Sequence, residues 1–107
     1  MPHYLIQAAY TSEAWAAMVK NPQDRIEAVR PVVERLGGRF IAGYTSFGEY
    51  DIVAIIEAPS NTAAAAFSIA ASAGGAVKAF KTTPLMTTQE VMDAARQAGT
   101  IGYRPPA

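Results

Sequence analysis

The most chemically suggestive stretch of the chain is FGEYDIVAIIEAP, residues 47–59, where Tyr50 and Asp51 stand just ahead of an apolar run. A carboxylate at the start of a buried strand can bind or deprotonate a ligand, its pKa raised by desolvation. The same carboxylate can instead accept backbone N–H bonds across a hairpin, or pair with Arg39 or Lys81 on a neighbouring strand. Short polar side chains commonly do this at turns, so the structural role is the simpler expectation. Tyr10, Trp15 and Tyr44 lie near the small residues Ala8, Ala9, Ala42 and Gly43. They could wall a cavity between sheet and helices, apolar with polar tips, or simply fill the core. The candidate ligand-binding residues are therefore Tyr10, Trp15, Tyr44, Tyr50 and Asp51. No nucleophile–base pair, metal cluster or phosphate loop is visible, and no catalytic residue can be named.

Other reactive groups carry less. Arg25 follows NPQD near a helix start, where free N–H groups attract anions, but Asp24 is better placed to occupy that site as a partner of Asn21. A lone His3 seldom signals catalysis and makes a histidine-rich metal site impossible within one subunit. Met1-Pro2 would expose a secondary amine if Met1 were removed, as in tautomerases with an N-terminal proline base; with Met1 in place that amine is blocked. Gly48 reads as a positive-φ turn residue.

The elements that must position these groups follow from periodicity and punctuation. Residues 3–10 (HYLIQAAY) form a strand, and Thr11-Ser12 caps a short helix, SEAWAAMVK. Asn21 and Pro22 are expected to restart the chain as a helix. Ile26, Val29, Val33 and Leu36 share one of its faces, with a kink at Pro31 and a stop at Gly37-Gly38. Residues 39–47 and 50–58 are two strands joined tightly at Gly48-Glu49, an antiparallel hairpin. Ser60 caps an Ala-rich helix that stops at Gly74-Gly75. Residues 76–85 form a fourth strand, placed at a sheet edge or ending by Pro84. Thr87 to Glu90 is a capping box for a last helix.

Composition bounds the rest. The 107 residues allow one domain, with a core over about 3–97 and an irregular tail over 98–107. Half the residues are apolar and 17% charged, as in compact globular proteins. Nine basic residues balance nine acidic ones, which leaves no electrostatic footprint for nucleic acid or an anionic membrane. The absence of cysteine excludes disulfides and thiolate metal sites. No metal or cofactor is expected. No signal peptide is visible, and the uncharged run 58–77 carries too many Pro, Ser, Asn, Thr and Gly residues for a lipid-facing helix. A cytoplasmic location is the default.

The order is β-α-β-β-α-β plus a C-terminal helix, an α+β, ferredoxin-like plan with helices on one face of a four-stranded sheet. RNA-recognition motifs share this order, but they need aromatics with Lys or Arg on the exposed sheet, and here Glu49 and Asp51 stand at that strand's start. In the third strand both alternating sets are apolar: Tyr50, Ile52, Ala54 and Ile56 on one side, Val53 and Ile55 on the other. Helices can cover only one side. A second copy of the sheet is the simplest cover for the other, giving a homodimer or higher homo-oligomer, a dimeric α/β barrel.

Three stretches, NPQDRIEAVRPVVERLGGRF, GYTSFGEYDIVAIIEAP and the Ala-rich helix followed by GGAVKAFKTTPL, resemble the GYD-domain family across most of residues 4–92. The family's motif stands here as Gly48-Glu49-Tyr50-Asp51, one residue longer than the bare triplet. The resemblance implies the ferredoxin-like, dimeric α/β-barrel plan and brings no established activity with it. Wider relatives of that architecture include cofactor-independent oxygenases, isomerases and amino-acid-sensing modules, an analogy of fold alone. Two functions are therefore expected to compete. One is a non-catalytic assembly or regulatory module with a small-molecule pocket between sheet and helices. The other is a metal- and cofactor-independent enzyme acting on a small organic molecule.

Overall fold

A computed structural model describes all 107 residues. The order is β1 (His3–Tyr10), α1 (Ser12–Lys20), α2 (Arg25–Arg35), β2 (Arg39–Thr45), β3 (Ile52–Glu57), α3 (Asn61–Ala73), β4 (Val77–Leu85) and α4 (Thr88–Ala98). The four strands pair antiparallel in the order β2-β3-β1-β4, consistent with a ferredoxin-like sheet. Pro84 lies on the edge strand β4, where its missing N–H costs little. No helix is long and apolar enough to cross a membrane.

The caps are the local reason the helices begin where they do. The hydroxyls of Thr11, Ser60 and Thr87 accept from the N–H groups of Ala14, Ala63 and Glu90. Glu90 returns the bond to the Thr87 N–H at 3.0 Å, completing the capping box. The second helix departs from expectation. It starts at Arg25 behind Asp24, whose carboxylate accepts from the Glu27 N–H at 3.0 Å. Asn21 instead closes α1 as its C-cap, its N–H bonded to the Ala17 carbonyl. Gly37 adopts a left-handed conformation (φ +82°) just beyond α2.

The β2–β3 connection also differs. The strands end at Thr45 and restart at Ile52, so Ser46 to Asp51 form a six-residue loop rather than a tight turn, and Tyr50 lies outside β3. The loop ties itself together: the Ser46 hydroxyl donates to the Tyr50 carbonyl at 2.7 Å, and the Ser46 N–H to the Asp51 carbonyl at 2.7 Å. A loop of this length has no need of a left-handed residue at Gly48, and Gly48 is not among the positive-φ glycines.

Tyr4, Ile6 and Ala8 of β1, Ala54 and Ile56 of β3, and Phe40 of β2 are buried beneath Val33 of α2 and Ala64 and Phe67 of α3. On the opposite face Leu5, Val53 and Ile55 are only half-buried. One element stands apart: α4 buries no residue. The radius of gyration is 17.2 Å, against about 13 Å for a compact domain of this size, and the longest dimension is 58 Å.

Candidate functional site

Four of the five sequence candidates meet around one open groove. Tyr10, Trp15, Tyr44 and Asp51 line it together with Asp24, Arg25 and Arg30, between the end of β1, α1, the start of α2 and the edge of β2. Tyr10 and Trp15 stack edge-to-face, with ring centroids 5.5 Å apart and planes at 88°. Tyr44 is 71% exposed. Tyr50 is not on the groove wall; its carbonyl accepts from the Ser46 hydroxyl.

Asp51 is engaged structurally. Its Oδ2 accepts from the Tyr10 N–H at 2.8 Å, while its own N–H donates to the Ala8 carbonyl at 2.8 Å. Both bonds pin the Ser46–Asp51 loop to the end of β1, where the β1–β4 register shifts between Ala9 and Tyr10. That shift leaves the Tyr10 amide without a regular ladder partner, and the carboxylate supplies one. Neither Arg39 nor Lys81 pairs with Asp51. Arg39 makes a two-pronged contact with Glu57 instead, at 3.2 Å from each nitrogen, and His3 reaches Glu57 at 3.3 Å. The hydrogen-bonded Arg39 guanidinium holds the Glu57 carboxyl below the usual carboxylate range. This cluster sits at one end of the half-buried sheet face, since His3, Glu57 and Arg39 occupy one register row.

Behind the groove lies a cavity of about 350 Å³ between α2, α3 and the sheet. Seventeen of its 19 lining residues are hydrophobic, with Ile6, Phe40, Phe67 and Phe80 among them. Tyr10, Arg25, Ile26 and Ile52 line both spaces and form the boundary between them. The void exists because the facing residues are small: Ala8 and Ala54 on the sheet, Ala28 on α2, Ala70 and Ala71 on α3, and Gly74 just beyond it. Of the small residues that suggested open space in the sequence, Ala8 lines it, whereas Ala9, Ala42 and Gly43 do not. The participation of Phe67 and Phe80, which meet edge-to-face at 5.8 Å, was not legible in the sequence, because nothing local tells which aromatics face a void.

The cavity wall contains no carboxylate, imidazole or amine, and its only residues with a polar side-chain group are Tyr10 and Arg25. Its one cation is Arg25. No three His, Cys, Asp or Glu side chains are gathered where a metal ion could be held. Phe47, at the tip of the β2–β3 loop, is 99% exposed, a feature the strand assignment had hidden.

The GYD domain family matches residues 4–95. The chain belongs to the GYD-domain family. A protein of Thermus thermophilus named glutamine synthetase and cystathionine beta-lyase binding protein is 33% identical over 79 residues, covering 73% of this chain and 82% of that one. No solved structure is a significant match. The matched family region spans β1 to most of α4, so groove, cavity and the exposed C-terminal helix all lie within or at the edge of this GYD domain.

Proposed function

We propose that this GYD domain is a non-catalytic protein-interaction module that binds metabolic enzymes. The observation that carries the reading is α4. Val91, Met92, Ala94, Ala95 and Ala98 make one apolar side of this helix, and Gln89, Asp93 and Arg96 hydrogen-bond along the other. Val91 and Met92 are nonetheless 52% and 45% exposed. An isolated helix of 11 residues is marginal in water, so a face of this kind is stabilised by packing from outside the chain. Phe47 adds a second exposed anchor of the aromatic type that dominates protein interfaces. The name of the Thermus relative supports enzymes such as glutamine synthetase as partners.

The test is co-elution. The chain, mixed with the glutamine synthetase of its own organism, should form a complex resolved by size exclusion and light scattering, and Met92→Asp should abolish it. A complex indifferent to Met92→Asp and to Phe47→Ala would sink this assignment of the surface. Absence of any complex, with that enzyme or a cystathionine beta-lyase, would sink the partner class.

The half-buried face of Leu5, Val53 and Ile55 supports a second part of the reading, homodimerisation sheet to sheet. Val53→Asp should then give a monomer by light scattering, and a monomeric unmodified chain would overturn it.

A further inference from the structure

We infer that the cavity between α2 and α3 is a binding site for a small apolar organic acid. In this arrangement the hydrocarbon part lies against Ile6, Phe40, Phe67 and Phe80 and the carboxylate rests at Arg25 and Tyr10. The inference goes beyond the protein-interaction reading and does not depend on it.

Protein interiors are close-packed, and voids much larger than a water molecule are rare in them. Here about 350 Å³ stays open beneath α2 and α3, reaching solvent past the exposed Ala70, Gly74 and Ala76. Apolar cavities of about 150 Å³ already stay dry and take up benzene. Ligand pockets begin at about 300 Å³ and pair an apolar wall with a few placed polar groups. The wall of this cavity fits that description, since its only charged residue is Arg25 and its only phenol is Tyr10. Water gains little from such a lining, whereas an alkyl chain or a ring regains the dispersion contacts that the small residues leave unmade.

The sign of the polar head follows from which neighbours are already committed. Asp24 caps α2, Glu27 pairs with Arg30 at 3.0 Å, and Asp51 accepts from the Tyr10 N–H. Arg25 forms no ion pair; its guanidinium donates to Gln23 Oε1 at 3.1 Å. The Tyr10 hydroxyl makes no hydrogen bond within the chain, so it too is free to donate. Asp24 and Asp51 line the outer groove but not the cavity, so the one cation at the boundary faces no competing carboxylate from the cavity side. A guanidinium and a phenol on the wall of one cavity can together receive a carboxylate.

Octanoate and 1-octanol, which share a chain and differ in the head, are the probes. By calorimetry at pH 7 the full chain should bind octanoate saturably and about tenfold more tightly than 1-octanol. Arg25→Gln should remove that preference while leaving 1-octanol affinity unchanged. Ala70→Phe, which fills the cavity from α3, should abolish binding of both probes. Ala71→Leu is the milder filling variant should Ala70→Phe lose its native circular dichroism. The inference is overturned if neither probe binds saturably, or if the filled variants bind octanoate as the unmodified chain does. Equal affinity for the two probes, insensitive to Arg25→Gln, overturns the carboxylate assignment. Concentration-dependent NMR shifts at Phe67 and Phe80 without any probe response would show a second copy occupying the space, and would overturn it as well.

Discussion

α3 and α4 have almost opposite relations between pattern and burial. α3 is apolar nearly all the way round, yet it buries Ala64 and Phe67 against β4 and the sheet centre. α4 has the sharply two-sided pattern expected of a helix lying on a core, and buries nothing. The difference teaches that an amphipathic stripe specifies that something will be covered, without specifying by what. α3 is held between β3 and β4, which pass on either side of it in sequence and so bring it down onto the sheet. α4 has only one such tether, the short link from Leu85, and the helix-covered face of the sheet is already taken by α2 and α3.

The contrast can be broken most directly at its buried member. Phe67→Ala should cost about 3–5 kcal/mol in urea denaturation, as for other large-to-small changes of aromatic residues in cores. A loss below about 1 kcal/mol would mean that α3 is no better seated than α4. Next come the caps. Thr87→Ala and Ser60→Ala each remove the same bond, worth about 1 kcal/mol. In α4, which lacks tertiary packing, the loss should appear locally, as faster amide exchange over residues 88–92. In α3 it should appear only as a small shift in global unfolding.

Acid should act on α4 in the same way. The Thr87 N–H and hydroxyl hold the Glu90 carboxyl below the ordinary carboxylate value, so the cap's contribution is present above that ordinary value and is lost as pH falls through the depressed one. NMR shifts of the first α4 turn, followed from neutral pH into acid, should show fraying there before any change in α3. Met92→Asp should move monomer stability by no more than about 0.5 kcal/mol, because the side chain is exposed. Smallest of all should be Gly48→Val. With no left-handed φ and nothing within 4 Å of an added Cβ, its melting temperature should match that of the unmodified chain.

How much of this was legible depended on the range of the interaction involved. Caps are read within four residues, so Thr11, Ser60 and Thr87 could be identified from sequence, as could the order of the elements and the edge position of Pro84. Asn21 misled because two helices compete for it, and only the path of the chain decides that α1 keeps it. Gly48 misled because a glycine between two strands suggests a tight turn, whereas Ser46 and Asp51 close a longer loop through bonds that skip several residues. Tyr10, Trp15, Tyr44 and Asp51 meet at an outer groove rather than in the space between sheet and helices that the sequence suggests, where only Tyr10 of the four lines the wall. The exclusion of Tyr50 was not legible either, since it turned on where β3 begins. The cavity depends on volumes facing each other across elements far apart in sequence, which no local pattern records.

The position of β1 has a consequence for how this chain comes to be folded. β1 is the first of the four strands in chain order and a central strand of the finished sheet, paired with β3 on one side and β4 on the other. Its ladder runs from His3 beside Leu85 to Tyr10 beside Val77. Strand pairing between such distant segments is slow, because a large loop must close before any contact rewards it. While β4 is still being synthesised, β1 has an unsatisfied edge and its Tyr4 and Ile6 side chains lack part of their cover. Without residues 77–85 in place, that edge of β1 is a row of unpaired backbone groups of the kind that invites mispairing.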